Sequence, residues 1–149
     1  MALPPALDVS STCPLCEPTP HETLWQDHDC RVVLLNDVDY PGYCRVECLA
    51  HVKEMTDLDK AQRVHIMSVV FATEQAVRQV LQPSKINLAS LGNKTPHMHW
   101  HVIPRFENDR HFPNSHWGET MRVHMAEPLS AHQKQQLKVD IIKALKTEA

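Results

Sequence analysis

Three histidines stand at alternate positions in Pro96-His97-Met98-His99-Trp100-His101-Val102-Ile103-Pro104-Arg105. Side chains alternate faces along a β-strand, so His97, His99 and His101 fall on one face and Met98, Trp100 and Val102 on the other. The pattern predicts a half-buried strand bounded by Pro96 and Pro104, which cannot donate to a central ladder. Three readings of such a row compete. In the first it is a metal site, but His97 and His101 would have Cα atoms about 13 Å apart on an extended strand. Zinc–nitrogen bonds of about 2.1 Å leave little slack for both to share one ion, so one or two of them are the candidate ligands. In the second it is chance; eleven histidines in 149 residues make pairs common, but not a triple inside a hydrophobic alternation. In the third it is a set of neutral imidazoles facing a phosphate, one a nucleophile and one an acid or hydrogen-bond donor. An imidazole attacks only when neutral, and its ordinary pKa of about 6.5 leaves much of it so near pH 7.

The surrounding chain predicts what would position that strand. An arm rich in Pro and Ser, residues 1–12, precedes Cys13-Pro14-Leu15-Cys16. Thr23–Gln26, Cys30–Leu35 and Tyr43–Leu49 read as strands, separated by the turn clusters Asp27-His28-Asp29 and Asn36–Gly42. A long helix follows, opening on a capping pattern at Thr56-Asp57-Leu58-Asp59 and stopped by Pro83. Lys85–Leu91 is a further strand, a tight loop leads from Gly92 to Pro96, and the histidine strand forms a hairpin-like pair with it. Beyond a polar loop, residues 107–118, Ser130-Ala131-His132-Gln133 caps a second helix with Leu137, Ile141 and Leu145 on one stripe. Strands with hairpin-length links and segregated helices predict an α+β fold, an antiparallel sheet with helices on one face.

Composition limits the function classes. A chain of 149 residues and 17.0 kDa is one domain with its own core. Its net charge of -3 carries no basic stripe for nucleic acid. The first residues lack the charged and apolar regions of a signal peptide, and no apolar run approaches the ~20 residues of a membrane helix. Five cysteines, an odd number, argue for reduced thiols and a cytoplasmic setting. Cys30, Cys44 and Cys48 read as core thiols. The pair Cys13-x-x-Cys16 fits a redox couple, half of a zinc site or two free thiols, and a tetrahedral zinc would need two more ligands.

His97-Met98-His99-Trp100-His101-Val102-Ile103 resembles the His-φ-His-φ-His-φ-φ signature of the histidine triad (HIT) superfamily, φ being apolar, and every φ position is filled. The resemblance extends through Asn87, Gly92 and Asn93 upstream and Pro104-Arg105 downstream. It implies a HIT domain over residues 13–118, with residues 119–149 an extension whose helix packs on the same domain. It implies a five-stranded antiparallel sheet backed by the long helix, and a homodimer. In activity it implies attack by His99 on the α-phosphorus of a nucleotide, giving a nucleotidyl-histidine that water hydrolyses to a nucleoside monophosphate. His101 would contact the phosphate or leaving-group oxygen, and His97 would support them or bind metal. Asn36 or Asp37 would hold ribose hydroxyls, and Asn87, Gly92 and Asn93 the phosphates. Tyr43 stands where many members have histidine, and Lys94 where a hydroxyl residue is common. Some relatives place an aromatic group near a partner subunit's site from the loop that holds Trp117. A zinc site completed as in related uridylyltransferases would use Cys13, Cys16, His51 and His97, with His21 a rival ligand. The implied partner is a purine nucleotide or nucleotide conjugate, such as a dinucleoside polyphosphate or a nucleoside phosphoramidate. The competing function is a nucleotide-binding or zinc-stabilised interaction protein with little turnover.

Overall fold

The computed structural model describes residues 13–148, so the arm expected over residues 1–12 lies outside the described residues. Five strands form one antiparallel sheet: β1 (Glu22–Gln26), β2 (Cys30–Leu34), β3 (Cys44–Cys48), β4 (Lys85–Ala89) and β5 (His99–Arg105). Their spatial order is β1-β2-β3-β5-β4. Two helices, α1 (Lys60–Leu81) and α2 (Ala131–Glu148), complete the α+β architecture.

One face of the sheet carries the apolar core. Val32, Val46 and Val102 point from it into Val69, Val70, Ala76 and Val77 of α1, all fully buried or nearly so. The stripe expected on α2 is the one that packs: Leu137 and Ile141 join the same core, with Leu145 at its margin. Ser130 and Gln133 cap that helix reciprocally, each side chain accepting from the other's backbone N–H at 3.1 and 2.9 Å.

Two boundaries differ from the sequence reading. The cap of α1 is Asp59, whose carboxylate accepts from Gln62 N–H at 2.8 Å while Gln62 returns the bond at 3.0 Å. Thr56 lies instead in a short 3-10 turn, Met55–Asp57, because Asp57 already accepts from Glu54 N–H. The histidine strand is also shifted: it starts at His99 and runs through Pro104 to Arg105. The β3 ladder ends where Cys44 meets Val102, so beyond that point β5 is an edge on this side and tolerates a missing N–H. Pro104 still sits opposite Ile86 of β4. The loop entering β2–β3 turns on Gly42, at φ +92, where an added Cβ would lie 2.1 Å from Leu81 Cδ1 of α1.

Candidate active site and metal-binding cluster

On the other face of the sheet, β5 presents His99 and His101 with ring centroids 4.9 Å apart and nearly perpendicular. Both are largely buried. The backbone settles which nitrogen of His99 is free. Its Nδ1 lies 2.5 Å from the carbonyl of His97, which can only accept, so Nδ1 bears the hydrogen and Nε2 the lone pair. His101 is held by Tyr43, whose hydroxyl lies 2.5 Å from Nδ1. Burial holds both rings in the neutral form; the His101 pKa is pushed down to about 3, with His99 and Arg45 adding to the effect. His99 opens on a cavity of about 200 Å³. Trp117 covers His101 edge-on at 4.9 Å, within the same chain.

Of the three rings, His99 and His101 contact each other, while His97 meets His51. His97 precedes β5, where Met98 N–H bonds the Val52 carbonyl, and its ring is buried among other partners. There Nε2 donates to the Cys48 carbonyl at 2.7 Å, which leaves the Nδ1 lone pair to meet Cys13 Sγ at 3.4 Å and Cys16 Sγ at 3.6 Å. His51 Nδ1 comes within 3.2 Å of Cys16 Sγ and 3.1 Å of His97 Nδ1. These four donor atoms lie within 4.8 Å of one another, a set that can hold a metal ion. Tetrahedral zinc with such ligands spaces them about 3.4–3.8 Å apart, and a backbone-held second nitrogen on a ligating histidine is the usual support. His21 takes no part: its Nδ1 accepts from Asn36 N–H.

The remaining candidates are dispersed. Asn87 shares the face of the two rings but gives its side-chain oxygen to Arg105 at 2.8 Å. Arg105 is buried and clamps Asp109 with Nε and Nη2 at 2.8 and 3.1 Å. Asn36 and Asp37 line a separate cavity of about 300 Å³ with Leu35 and Val38, and Asp37 meets His116 at 3.3 Å. Gly92 turns the preceding loop at φ +74, with Asn93 exposed beside it. Sequence reasoning passed over Arg31, Arg45 and Glu47, all beneath the cavity at His99. The available signal was polar alternation in Tyr43-Cys44-Arg45-Val46-Glu47, which reads as a solvent face until coordinates bury Glu47.

The model of the HIT domain matches residues 17–108, most of the chain. Among solved structures, a histidine triad protein from Marinobacter aquaeolei VT8 is 25% identical, with a TM-score of 0.66 over 87% of this chain and 91% of that one. One from Bradyrhizobium japonicum is 23% identical, with a TM-score of 0.66 over 84% and 90%. A zinc-bound histidine triad family protein from Mycobacterium smegmatis is 19% identical, with a TM-score of 0.66 over 90% and 96%. The last two likenesses show the fold alone. No curated protein matches the chain. With the triad motif running into β5, the expected five-stranded antiparallel sheet and a family match over more than half its length, this chain belongs to the HIT domain family.

Proposed function

We propose that this protein is a nucleotidyl hydrolase or transferase that attacks the α-phosphate of a purine nucleotide conjugate through His99 and releases a nucleoside monophosphate. The observation that carries the reading is the His97 carbonyl: by accepting from Nδ1 it leaves the Nε2 lone pair of His99 beside a cavity. In the first step Nε2 bonds to phosphorus while the bond to the leaving group breaks, and the pair departs with that group, a phosphate leaving as the anion and an amine taking a proton from solvent. In the second, water displaces the imidazole and the P–N bond breaks. Dividing the reaction in this way is the gain of covalent catalysis. With Tyr43 donating to its Nδ1, His101 would carry its N–H on Nε2 and donate a hydrogen bond to a phosphate oxygen, and Asn87, Gly92 and Asn93 stand on the adjoining strand and loop. Dinucleoside polyphosphates and nucleoside phosphoramidates are the substrate classes to examine, and a cytoplasmic homodimer is the working form. No helix of the described residues is long and apolar enough to cross a membrane.

Cys13, Cys16, His51 and His97 are read as a structural zinc site. When bound, the ion supplies a cross-link and no chemistry at the phosphate. The cover that Trp117 and Tyr43 place over His101 favours a second reading, a nucleotide-binding or zinc-stabilised interaction protein with little turnover. One assay separates the two. Incubation with diadenosine polyphosphates or adenosine phosphoramidates should release AMP, with the rate falling at least about a hundredfold in His99→Ala. Equal rates in the two proteins would remove His99 as nucleophile.

A further inference from the structure

Opposite the triad strand, β3 pairs Arg45 with His101 and Glu47 with His99, so all four side chains share one face. Glu47 is fully buried, and both its oxygens are taken. Oε1 accepts from Nε of Arg31 at 2.7 Å and Oε2 from Nε of Arg45 at 2.5 Å. Two guanidinium groups on one carboxylate leave one positive charge unbalanced.

The two arginines use their remaining N–H groups differently. Arg31 reaches the carbonyls of Leu15 and Glu17 at 3.2 and 3.3 Å, which pins the segment after Cys13 onto the sheet. Arg45 is held through Nε alone; among the described residues its outer N–H groups have no hydrogen-bond partner. Since Glu47 lies directly across from His99, an Arg45 head drawn onto Glu47 comes to rest alongside the His99 ring. Both arginines, His99, Thr19 and Thr95 line the same cavity of about 200 Å³. Neutralising Glu47 requires only Arg31, so the ion pair by itself gives no reason for a second cation here. A planar fork with two unused donors matches a pair of phosphate oxygens.

We propose that Arg45 is a substrate-binding residue whose outer N–H groups grip two non-bridging oxygens of the phosphoryl group that His99 attacks. The inference rests on the nucleotidyl-transfer reading and names the anion contact of that site. As Nε2 of His99 bonds to phosphorus and the leaving-group bond breaks with its electron pair, negative charge stays on the non-bridging oxygens. Arg45 meets that charge, held in place beforehand by Glu47. No proton moves in the step when the leaving group is itself a phosphate.

The test is equilibrium binding of AMP, adenosine and GMP to the wild-type chain and to Arg45→Met and Arg45→Lys, with melting temperatures as a check on folding. Arg45→Lys retains a charge for Glu47 but loses the fork, so it keeps the test open if Arg45→Met folds poorly. AMP and GMP affinity should fall about tenfold or more in both variants while adenosine affinity stays unchanged. Unchanged AMP affinity in a folded variant overturns the proposal. So does a loss confined to GMP, which would make Arg45 a reader of the base edge. If the wild-type chain binds none of the three compounds, the nucleotide reading fails and this inference with it, whereas wild-type binding that Arg45 does not influence sinks the inference alone.

Discussion

The position of the ring hydrogen governs what each triad histidine can do, and at His97 and His99 a backbone carbonyl decides it. The Cys48 carbonyl frees Nδ1 of His97 for the cysteines, the His97 carbonyl frees Nε2 of His99 for the cavity, and a Tyr43 hydroxyl donating to Nδ1 would leave the N–H of His101 on Nε2. Tyr43 stands where the sequence comparison left its contact in doubt, and the structure gives it a definite partner. Tyr43→Phe removes only the hydroxyl that orders this tautomer. Turnover should fall about tenfold to a hundredfold, the scale of losing an oriented acid–base or donor group, and the nitrogen NMR signals of His101 should report a changed tautomer mixture. A rate and spectrum equal to wild type would show that His101 needs no such partner. At this scale the sequence revealed residue types and their alternation. It could not reveal the tautomers, because these depend on carbonyls and a hydroxyl that folding brings up from Cys48 and Tyr43.

Elements explain why His97 parts from its neighbours. β5 begins two residues after His97, so its ladder does not hold His97 as it holds His99 and His101. Released from the pleat, His97 serves a junction of three segments: the turn in which Cys16 N–H bonds the Cys13 carbonyl, the His51 stretch after β3, and the entry to β5. A metal there would fasten the segment before β1 to the strand that carries His99 and His101. Cys13→Ser should therefore lower the zinc content of protein purified without added metal, lower its melting temperature, and speed proteolytic cleavage between Pro14 and His21. Zinc-free wild-type protein with the stability and cleavage rate of the variant would dispose of the site. The four ligand positions were legible through the family resemblance; the geometry that eliminates His21 was not. Only the fold shows that its ring is engaged by Asn36.

Across the whole molecule, the site is organised by burial of polar groups rather than by surface charge. Arg105 with Asp109, and Arg31 and Arg45 with Glu47, are ion pairs largely withdrawn from water on the same sheet face as two neutral imidazoles. That burial has a consequence for pH. His101 has a folded pKa of about 3 against an ordinary value of 6.5, a depressed value caused first by burial and then by His99, Arg45 and His116. Between these two values the unfolded chain takes up a proton that the folded one refuses. The contribution of His101 to stability is therefore complete above about pH 6.5 and is lost progressively as pH falls toward 3. His21 and His111 are shifted the same way, burial being the first cause in each. Urea midpoints should decline from pH 7 to pH 4, and His101→Gln should flatten the decline. A slope identical in the two proteins would mean that His101 is not the group responsible.

The sequence by itself determined the sheet, the apolar helix stripes, the α2 cap and the family, since each rests on a period of two or near 3.6 or on residues a few positions apart. Only the tertiary structure decided that His97 faces sulfur while His99 faces a cavity, that Arg105 is a buried clamp, and that Glu47 lies across from His99 between two arginines. The physical reason is distance along the chain. Periodicity tells which side of its own element a residue occupies, but not what another segment brings to cover that side, and the charge, tautomer and accessibility of every group in this site are set by that covering.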